Sequence, residues 1–475
     1  MYRFLQFTIF LLFVYGCKSQ KNAVTNIENN PSKEAVALDK KMNILFIPVD
    51  DLNHWVTYFG RNIQCKTPNL DRLSAMGVSF TNAHCAAPAC CPSRAALMSG
   101  IRPSTSGVYD NADDWRKGIP VEKTMFTHFK NNGYKILGGG KIYHGGFDRM
   151  EEFDYFFEGG INQANRNVIK KGEFGGIKWA ELDADDDVLM DYHVANWAAA
   201  ELGKKHENPF FLAAGIFRPH MPWNVPKKYF DMFPIESIDL PPYNPNDLDD
   251  LPTEGVDMAN PNQDHKKLSG ELQWKEAIRA YLACIAYADV QIGRILDAYE
   301  KSPERENTMI LLWGDHGWHL GEKHHWRKFS LWEEATRSPF IWVVPGLTPK
   351  GALCNRPVDF LSVFPTLAEI NGLPVPAHVE GTNIFKLLKN PKAVWNTPAL
   401  ITFKEGNHAV KTDKFRYIRY AKGGEELYDV FNDPYEWNNI ISAKEHQHVV
   451  NELKKYLPKK EKTAVGKDAG TNSKD

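Results

Sequence analysis

The sequence predicts a doubly wound α/β domain, a mostly parallel central sheet with helices on both faces. A smaller α+β subdomain with an antiparallel sheet is predicted to follow it. Three observations carry this expectation. Short unbroken apolar runs recur through most of the 475 residues, and such runs suit strands buried on both faces. Helical patterns lie between them, the alternation expected of parallel strands joined by crossover helices. From about residue 395 the texture changes to short, turn-linked segments.

The first apolar run, 43–49, ends in Asp50 and Asp51. Runs at 134–138, 209–214, 309–313 and 340–344 have the same character, and helical patterns cover 124–132, 187–204 and 274–301. In such a sheet the binding crevice lies beyond the carboxyl ends of the strands. The main domain is therefore placed at 41–394. The subdomain, 395–458, is read as strands at 399–403, 408–412, 415–420 and 426–430 with a helix over 443–457. Residues 459–475 are rich in Lys, Gly and Ser and are predicted to be disordered. The Pro- and Asp-rich stretch 240–261 is read as an excursion, a loop bordering the site.

Arg3 precedes an apolar run at 4–15, too short to span a bilayer and suited to a signal-peptide core. The run closes on Val14, Tyr15, Gly16 and Cys17, which resembles a bacterial lipoprotein processing site with Cys17 lipidated. Plain secretion, with Cys17 lost in the signal at 1–17, is the alternative. Residues 18–40 form a polar linker. Either route predicts export, and the first a lipid-anchored protein of the bacterial periplasm or cell surface. A net charge of −2 advertises no nucleic-acid partner, so affinity for an anion must come from a few placed cations. The cysteines Cys17, Cys65, Cys85, Cys90, Cys91, Cys284 and Cys354 have neither the even count nor the spacing of a disulfide framework, and no CxxC pair suggests zinc.

The decisive segment is Cys90, Cys91, Pro92, Ser93 and Arg94, continuing through Ser99 and Gly100 to Pro103. It resembles the type I sulfatase signature, C-x-P-S-R, in which the first Cys is oxidised to formylglycine. Cys91 fills the variable position, and Ser99 stands where Thr is commoner. The resemblance extends to Val49, Asp50 and Asp51, to 67–71, to Gly140 and Lys141, to 314–317 and to 427–438. The segments 140–144, 218–222 and 315–322 are similar to the iduronate-2-sulfatase-like branch. An alkaline-phosphatase-like fold and a sulfuric ester hydrolase follow as expectations.

Chemistry accounts for the residue types. A sulfate ester is an anion that resists attack, so its oxygens must be neutralised and a nucleophile held in line. Asp50, Asp51 and Asp315 all follow apolar runs, and parallel strands would bring them to one rim as hard oxygen ligands for Ca²⁺. The resemblance adds His316 and the oxygen of residue 90 to that shell. It also implies that Arg94 holds the hydrated aldehyde, that Lys141 and Lys328 grip sulfate oxygens, and that His144 and His220 move protons. A hydroxyl on residue 90 attacks sulfur, His220 protonates the leaving alcohol, and His144 assists the step that expels sulfate.

The substrate expected is a sulfated oligo- or polysaccharide, a uronate 2-O-sulfate or related sugar of a glycosaminoglycan or of an algal polysaccharide such as ulvan. Trp115 and Trp318 are candidates to stack on a sugar, and His319, His324, His325 and Arg327 to bind a carboxylate or second sulfate. A formylglycine-generating or equivalent sulfatase-maturing enzyme is the implied partner. Two rivals remain: a phosphonate or phosphodiester hydrolase of the same superfamily, and a non-catalytic lipoprotein that binds sulfated glycan.

Overall fold

The computed structural model describes residues 41–159, 167–259 and 263–466. The signal and linker expected over 1–40, and 467–475 of the expected tail, lie outside them. Among the described residues, eight strands make the central sheet: β1 (Asn43–Val49), β2 (Val78–Phe80), β3 (Lys135–Gly140), β4 (Tyr155–Phe157), β5 (Phe210–Gly215), β6 (Thr308–Gly314), β7 (Phe340–Val343) and β8 (Ala352–Cys354). Their order is β8-β2-β7-β6-β1-β5-β3-β4. All neighbours pair in parallel except β6 with β7 and β7 with β2, so β7 alone runs against the rest.

The apolar run of β1 explains its central place. Leu45, Ile47 and Val49 enter one core layer, and Ile44 and Phe46 the other, because successive side chains alternate across a strand. The first layer is covered by α3 (Met190–Leu202) and α4 (Glu271–Lys301). The second is covered by α1 (Cys90–Ser99), α2 (Met125–Asn131) and α5 (Val363–Ile370). Fully burying one such aliphatic chain stabilises by roughly 1.5–3 kcal/mol, so the doubly covered strand anchors the domain.

The C-terminal sheet is antiparallel, formed in order by Ala399–Thr402, His408–Lys411, Phe415–Arg419 and Glu425–Asp429. Its period of two sorts the faces. Ile401, Ala409, Ile418 and Tyr428 pack with Leu331 and Trp332 of the main domain, while Leu400, Val410, Tyr417 and Leu427 pack under the helix Gln447–Lys454.

Two expectations are corrected. The stretch read as a loop contains a helix, Thr253–Ala259, with Asp247 paired to Lys323 at 2.7 Å and the Asn244 carbonyl bonded to His324. The tail is ordered as far as it is described. Lys462 and Val465 donate backbone hydrogen bonds to Ser104 and Gly107, and Glu461 holds His408 at 3.0 Å. Main-chain pairing of this kind leaves no mark in composition. The strands β2, β4 and β8 and the hairpin Asn167–Phe174 with Ile177–Asp183 were not foreseen.

Candidate active site

Register builds one wall of the site. β1 and β6 run side by side with Val49 opposite Gly314, so the next residues of both strands emerge at the same rim. There the Asp51 amide donates to Asp315 Oδ1 at 3.0 Å. Asp51 takes φ +58°, a left-handed conformation that Asp tolerates better than most residues. The Tyr281 hydroxyl of α4 fixes this turn, donating to the Asp51 carbonyl at 2.7 Å and accepting from the Asn53 amide at 3.0 Å.

The other wall is the start of α1, whose first side chain is Cys90. Ala89 offers no capping side chain, and Asn111 Oδ1 accepts from the Cys91 amide at 3.0 Å instead. One turn along, Arg94 ties the walls together. Its Nη2 donates to Asp50 Oδ1 at 2.9 Å, its Nε to Asp315 Oδ2 at 3.0 Å, and its Nη1 to the carbonyls of Lys141 and Ile142. Cys90 Sγ lies 3.3 Å from His316 Nε2 and 3.0 Å from Lys328 Nζ. Lys328 also donates to Asp51 Oδ1 at 2.8 Å, Lys141 Nζ approaches Asp50 Oδ2 at 3.4 Å, and His220 Nε2 lies 3.9 Å from Asp51 Oδ2.

These charges set one another's protonation. Burial alone would raise the Asp50 carboxyl, but Lys141 and Arg94 hold it well below the usual range. Lys328 does the same for Asp51 against its burial. Burial disfavours the charged form of His220, yet the Asp51 and Asp50 carboxylates raise it, which suits it to carry a proton. Burial pushes the Cys90 thiol up, so an unmodified thiol here is a weak nucleophile at neutral pH. Asp50 Oδ2 and Asp51 Oδ2 are buried without a hydrogen-bond partner. Carboxylate oxygens of Asp50, Asp51 and Asp315 lie within 4.8 Å of one another, and Cys90, Asp315 and His316 form an overlapping group. Such an oxygen-rich set with orphaned carboxylate atoms fits a hard divalent cation.

A family profile described as Sulfatase matches residues 42–373, and one described as N-sulphoglucosamine sulphohydrolase, C-terminal, matches 315–463. The chain belongs to the sulfatase family. It is a sulfuric ester hydrolase of the alkaline phosphatase superfamily. A relative named Sulfatase, from Formosa agariphila, is 40% identical over 88% of this chain and 87% of that protein. Iduronate 2-sulfatase of Mus musculus is 28% identical over 87% of this chain and 93% of that protein. A solved structure described as a complex with D-glucosamine-2-N,6-O-disulfate shares the fold at a TM-score of 0.70 and 20% identity, over 88% of this chain and 96% of that one.

The sulfatase thus brings together Asp50, Asp51, Cys90, Arg94, Lys141, His220, Asp315, His316 and Lys328. His144 sits in the loop after β3, its ring 6.4 Å from that of Phe147. The neighbouring thiol of Cys91 turns into the core and donates to the Asp113 carbonyl. Several substrate candidates are corrected. Trp115 is 1% exposed, stacked on Tyr143, with its indole N–H on the Phe147 carbonyl, so it offers no face to a sugar. Trp318 reaches the cleft wall but is equally buried, packed between Tyr281, Trp223 and Lys328. His319 spends its ring nitrogens on the Glu322 carbonyl and Ser330, and His325 on the Ala259 and Lys328 carbonyls; both are buried. His324 stacks on Tyr243 and His265, away from the cleft. Arg327 does line the cleft.

Sequence reasoning missed Lys178 and Lys267, which line the same cleft, and Asp191, whose carboxylate accepts the amides of Phe217 and Arg218 and so positions the His220 loop. Gly175 and Gly176 between two strand-like runs were the available hairpin signal. The Asp191 role had none, because it depends on where α3 docks.

Proposed function

We propose that this sulfatase hydrolyses a sulfate ester on a sulfated sugar, a uronate 2-O-sulfate or related unit of a glycosaminoglycan or algal polysaccharide, using a formylglycine made from Cys90. The observation that carries the reading is the meeting of Cys90 with Lys328, His316 and the carboxylate rim, of which Asp51 and Lys328, with His220, line a cleft of ≈ 660 Å³. Names of relatives support the substrate class, since sequence similarity spans nearly the whole length of an iduronate 2-sulfatase.

Oxidation of residue 90 supplies a hydrated aldehyde whose hydroxyl is the nucleophile, which the high-lying thiol does not provide. Asp50, Asp51, Asp315 and His316 would hold Ca²⁺, which would supply Lewis-acid polarisation of the sulfate. The protein's own groups do the rest. Lys141 and Lys328 stand on either side of the carboxylates and neutralise sulfate oxygens as point charges. Arg94 locks Asp50 and Asp315 in register and keeps residue 90 in line with the scissile bond. His220, whose protonated form burial disfavours but Asp51 and Asp50 favour, presents Nε2 to the leaving sugar oxygen and gives it a proton, while its Nδ1 is anchored on the Met221 carbonyl at 2.6 Å. His144 is assigned the proton removal that accompanies sulfate release. Export, with Cys17 either lipidated or lost with the signal, is part of this proposal and would put the enzyme where polymer fragments arrive.

Sulfate release from a panel of defined 2-, 3-, 4- and 6-sulfated glycans tests the reading, with peptide mass spectrometry of the segment bearing residue 90. The expected result is release from a 2-sulfated uronate with residue 90 present as the aldehyde. Faster hydrolysis of a phosphonate monoester or phosphate diester than of any sulfate, or sugar binding without release, would overturn it.

A further inference from the structure

Outside the catalytic cleft, Tyr243 stays 40% exposed although its ring packs against three others. Its centroid lies 4.9 Å from that of His324 and 5.3 Å from that of His265, with planes inclined by 21° and 25°. The two imidazoles are 5.4 Å apart at 22°. Trp274 closes the cluster edge-on, at 86° to Tyr243 and 87° to His265.

Hydrogen bonds hold the supporting rings in place. His324 Nε2 donates to the Asn244 carbonyl at 3.0 Å, and the Trp274 indole N–H to the Leu320 carbonyl at 2.7 Å. The Trp326 indole N–H donates to His265 Nδ1 at 3.2 Å. Burial, and then the charge of His324, holds His265 down at about 4, so that nitrogen accepts at neutral pH. The chain leading to Tyr243 is fastened too. The Asp239 amide donates to Gln64 Oε1 at 2.7 Å, and Gln64 Nε2 returns a bond to the Asp239 carbonyl at 3.1 Å. A rigid ring of this kind loses little further freedom when a ligand lands on it, so most of the contact energy goes into affinity.

We propose that Tyr243, supported by His265 and His324, is a stacking platform for a sugar ring of the substrate chain outside the catalytic cleft. The inference rests on the sulfated-sugar reading above and adds that the chain extends beyond the unit being cleaved. A pyranose suits such a surface. One of its faces is lined by C–H bonds that pack on an aromatic face, while its hydroxyls stay at the rim in water.

The neighbourhood favours the substrate's own chain as the occupant. The supporting ring of His265 is pinned by Trp326, and the next residue, Arg327, lines the catalytic cleft. The segment that carries Tyr243 also walls a hollow of ≈ 160 Å³, where Pro241 and Pro242 face Asn62 and Asp239. Amide and carboxylate groups there suit sugar hydroxyls. A glycan longer than its reacting unit thus meets an aromatic ring beside the cleft and a polar hollow next to it.

The test compares Tyr243→Ala and Tyr243→Phe in a Cys90→Ser background, where ligands bind without turnover. The probes are a disaccharide and an octasaccharide of a 2-O-sulfated glycosaminoglycan, and the same pair from ulvan. Counted per repeat, the parent should bind the octasaccharide of at least one pair about tenfold tighter than its disaccharide. Tyr243→Ala should erase that advantage with disaccharide affinity and Tm unchanged, and Tyr243→Phe should keep it. The platform is overturned by the absence of a length preference in both pairs, by a preference that survives Tyr243→Ala, or by a loss shared with the disaccharide. A phenylalanine variant as poor as the alanine one would also overturn it, because stacking needs the ring and not the hydroxyl. Length-dependent binding by a protein whose mature form releases no sulfate from these chains would sink the sulfate-ester reading and leave the platform standing.

Discussion

Two of the buried clusters of charge among the described residues are completed differently. At the junction with the C-terminal sheet, Arg416 Nε meets Glu436 at 2.5 Å, its Nη2 meets Glu333, and its Nη1 donates to the Leu331 carbonyl at 2.8 Å. Nearby, Glu334 pairs with His54 at 2.9 Å and Arg61 at 2.7 Å. At the sheet rim, Asp50 Oδ2 and Asp51 Oδ2 have only cations at 3.4 and 3.9 Å. The first cluster pairs its charges at 2.9 Å or closer, and the second leaves longer separations and faces a cleft. Buried charge therefore marks function only where pairing is incomplete and a ligand can reach it.

The sharpest break between the clusters is chemical. Cys90→Ala and Cys90→Ser should each lower turnover by at least about 10⁴-fold without loss of fold, since the nucleophile is gone. Sustained turnover by either protein, free of wild-type enzyme, would refute the covalent reading. At the junction the loss should instead be stability. Arg416→Met strands Glu333 and Glu436 and should cost about 3–5 kcal/mol in denaturant unfolding, with kcat per folded molecule unchanged. A rate defect at unaltered stability would erase the distinction.

Calcium probes the incompleteness of the rim directly. After chelation, Ca²⁺ at about a hundred times its Kd should restore roughly 2.7 kcal/mol of stability, and Asp315→Asn should abolish the response. An unchanged Tm on adding Ca²⁺ to chelated protein would rule the cation site out. The smallest effect concerns Glu322, whose carboxyl is pushed up to about 8 by burial and by the charge of Glu334. The folded protein keeps this proton while the unfolded chain releases it near its ordinary value of 4.5. Stability therefore falls as pH rises from about 4.5 to about 8. Glu322→Gln should flatten that slope by up to about 1.4 kcal/mol per pH unit in pH-dependent unfolding, and an unchanged slope would place the proton elsewhere.

The same comparison explains what could be read from the chain. The runs that became β1, β3, β5, β6 and β7 were legible because burial on both faces forces unbroken apolarity, and the rim acids because they follow such runs directly. The junction cluster was illegible. Arg416 and Glu333 lie far apart in the chain, and nothing local marks them as partners. His319 and His325 misled for a related reason: proximity in sequence to motif residues says nothing about which way a side chain packs. Lys178 was hidden in a surface hairpin, whose place at the cleft shows only once Arg327 donates to the Gly175 carbonyl.

The burial of α1 fixes an order of events. All ten of its residues are enclosed, and the rim that seals Cys90 needs β6, whose residues follow β1 by more than half the chain. The clasp of Lys462 and Val465 on Ser104 and Gly107 comes later still. The maturing enzyme proposed for this thiol would find the segment enclosed in the finished protein. The oxidation proposed for residue 90 belongs to the interval between its synthesis and the arrival of the last strands, so slow closure of a long-range sheet serves as the time allotted for making the nucleophile.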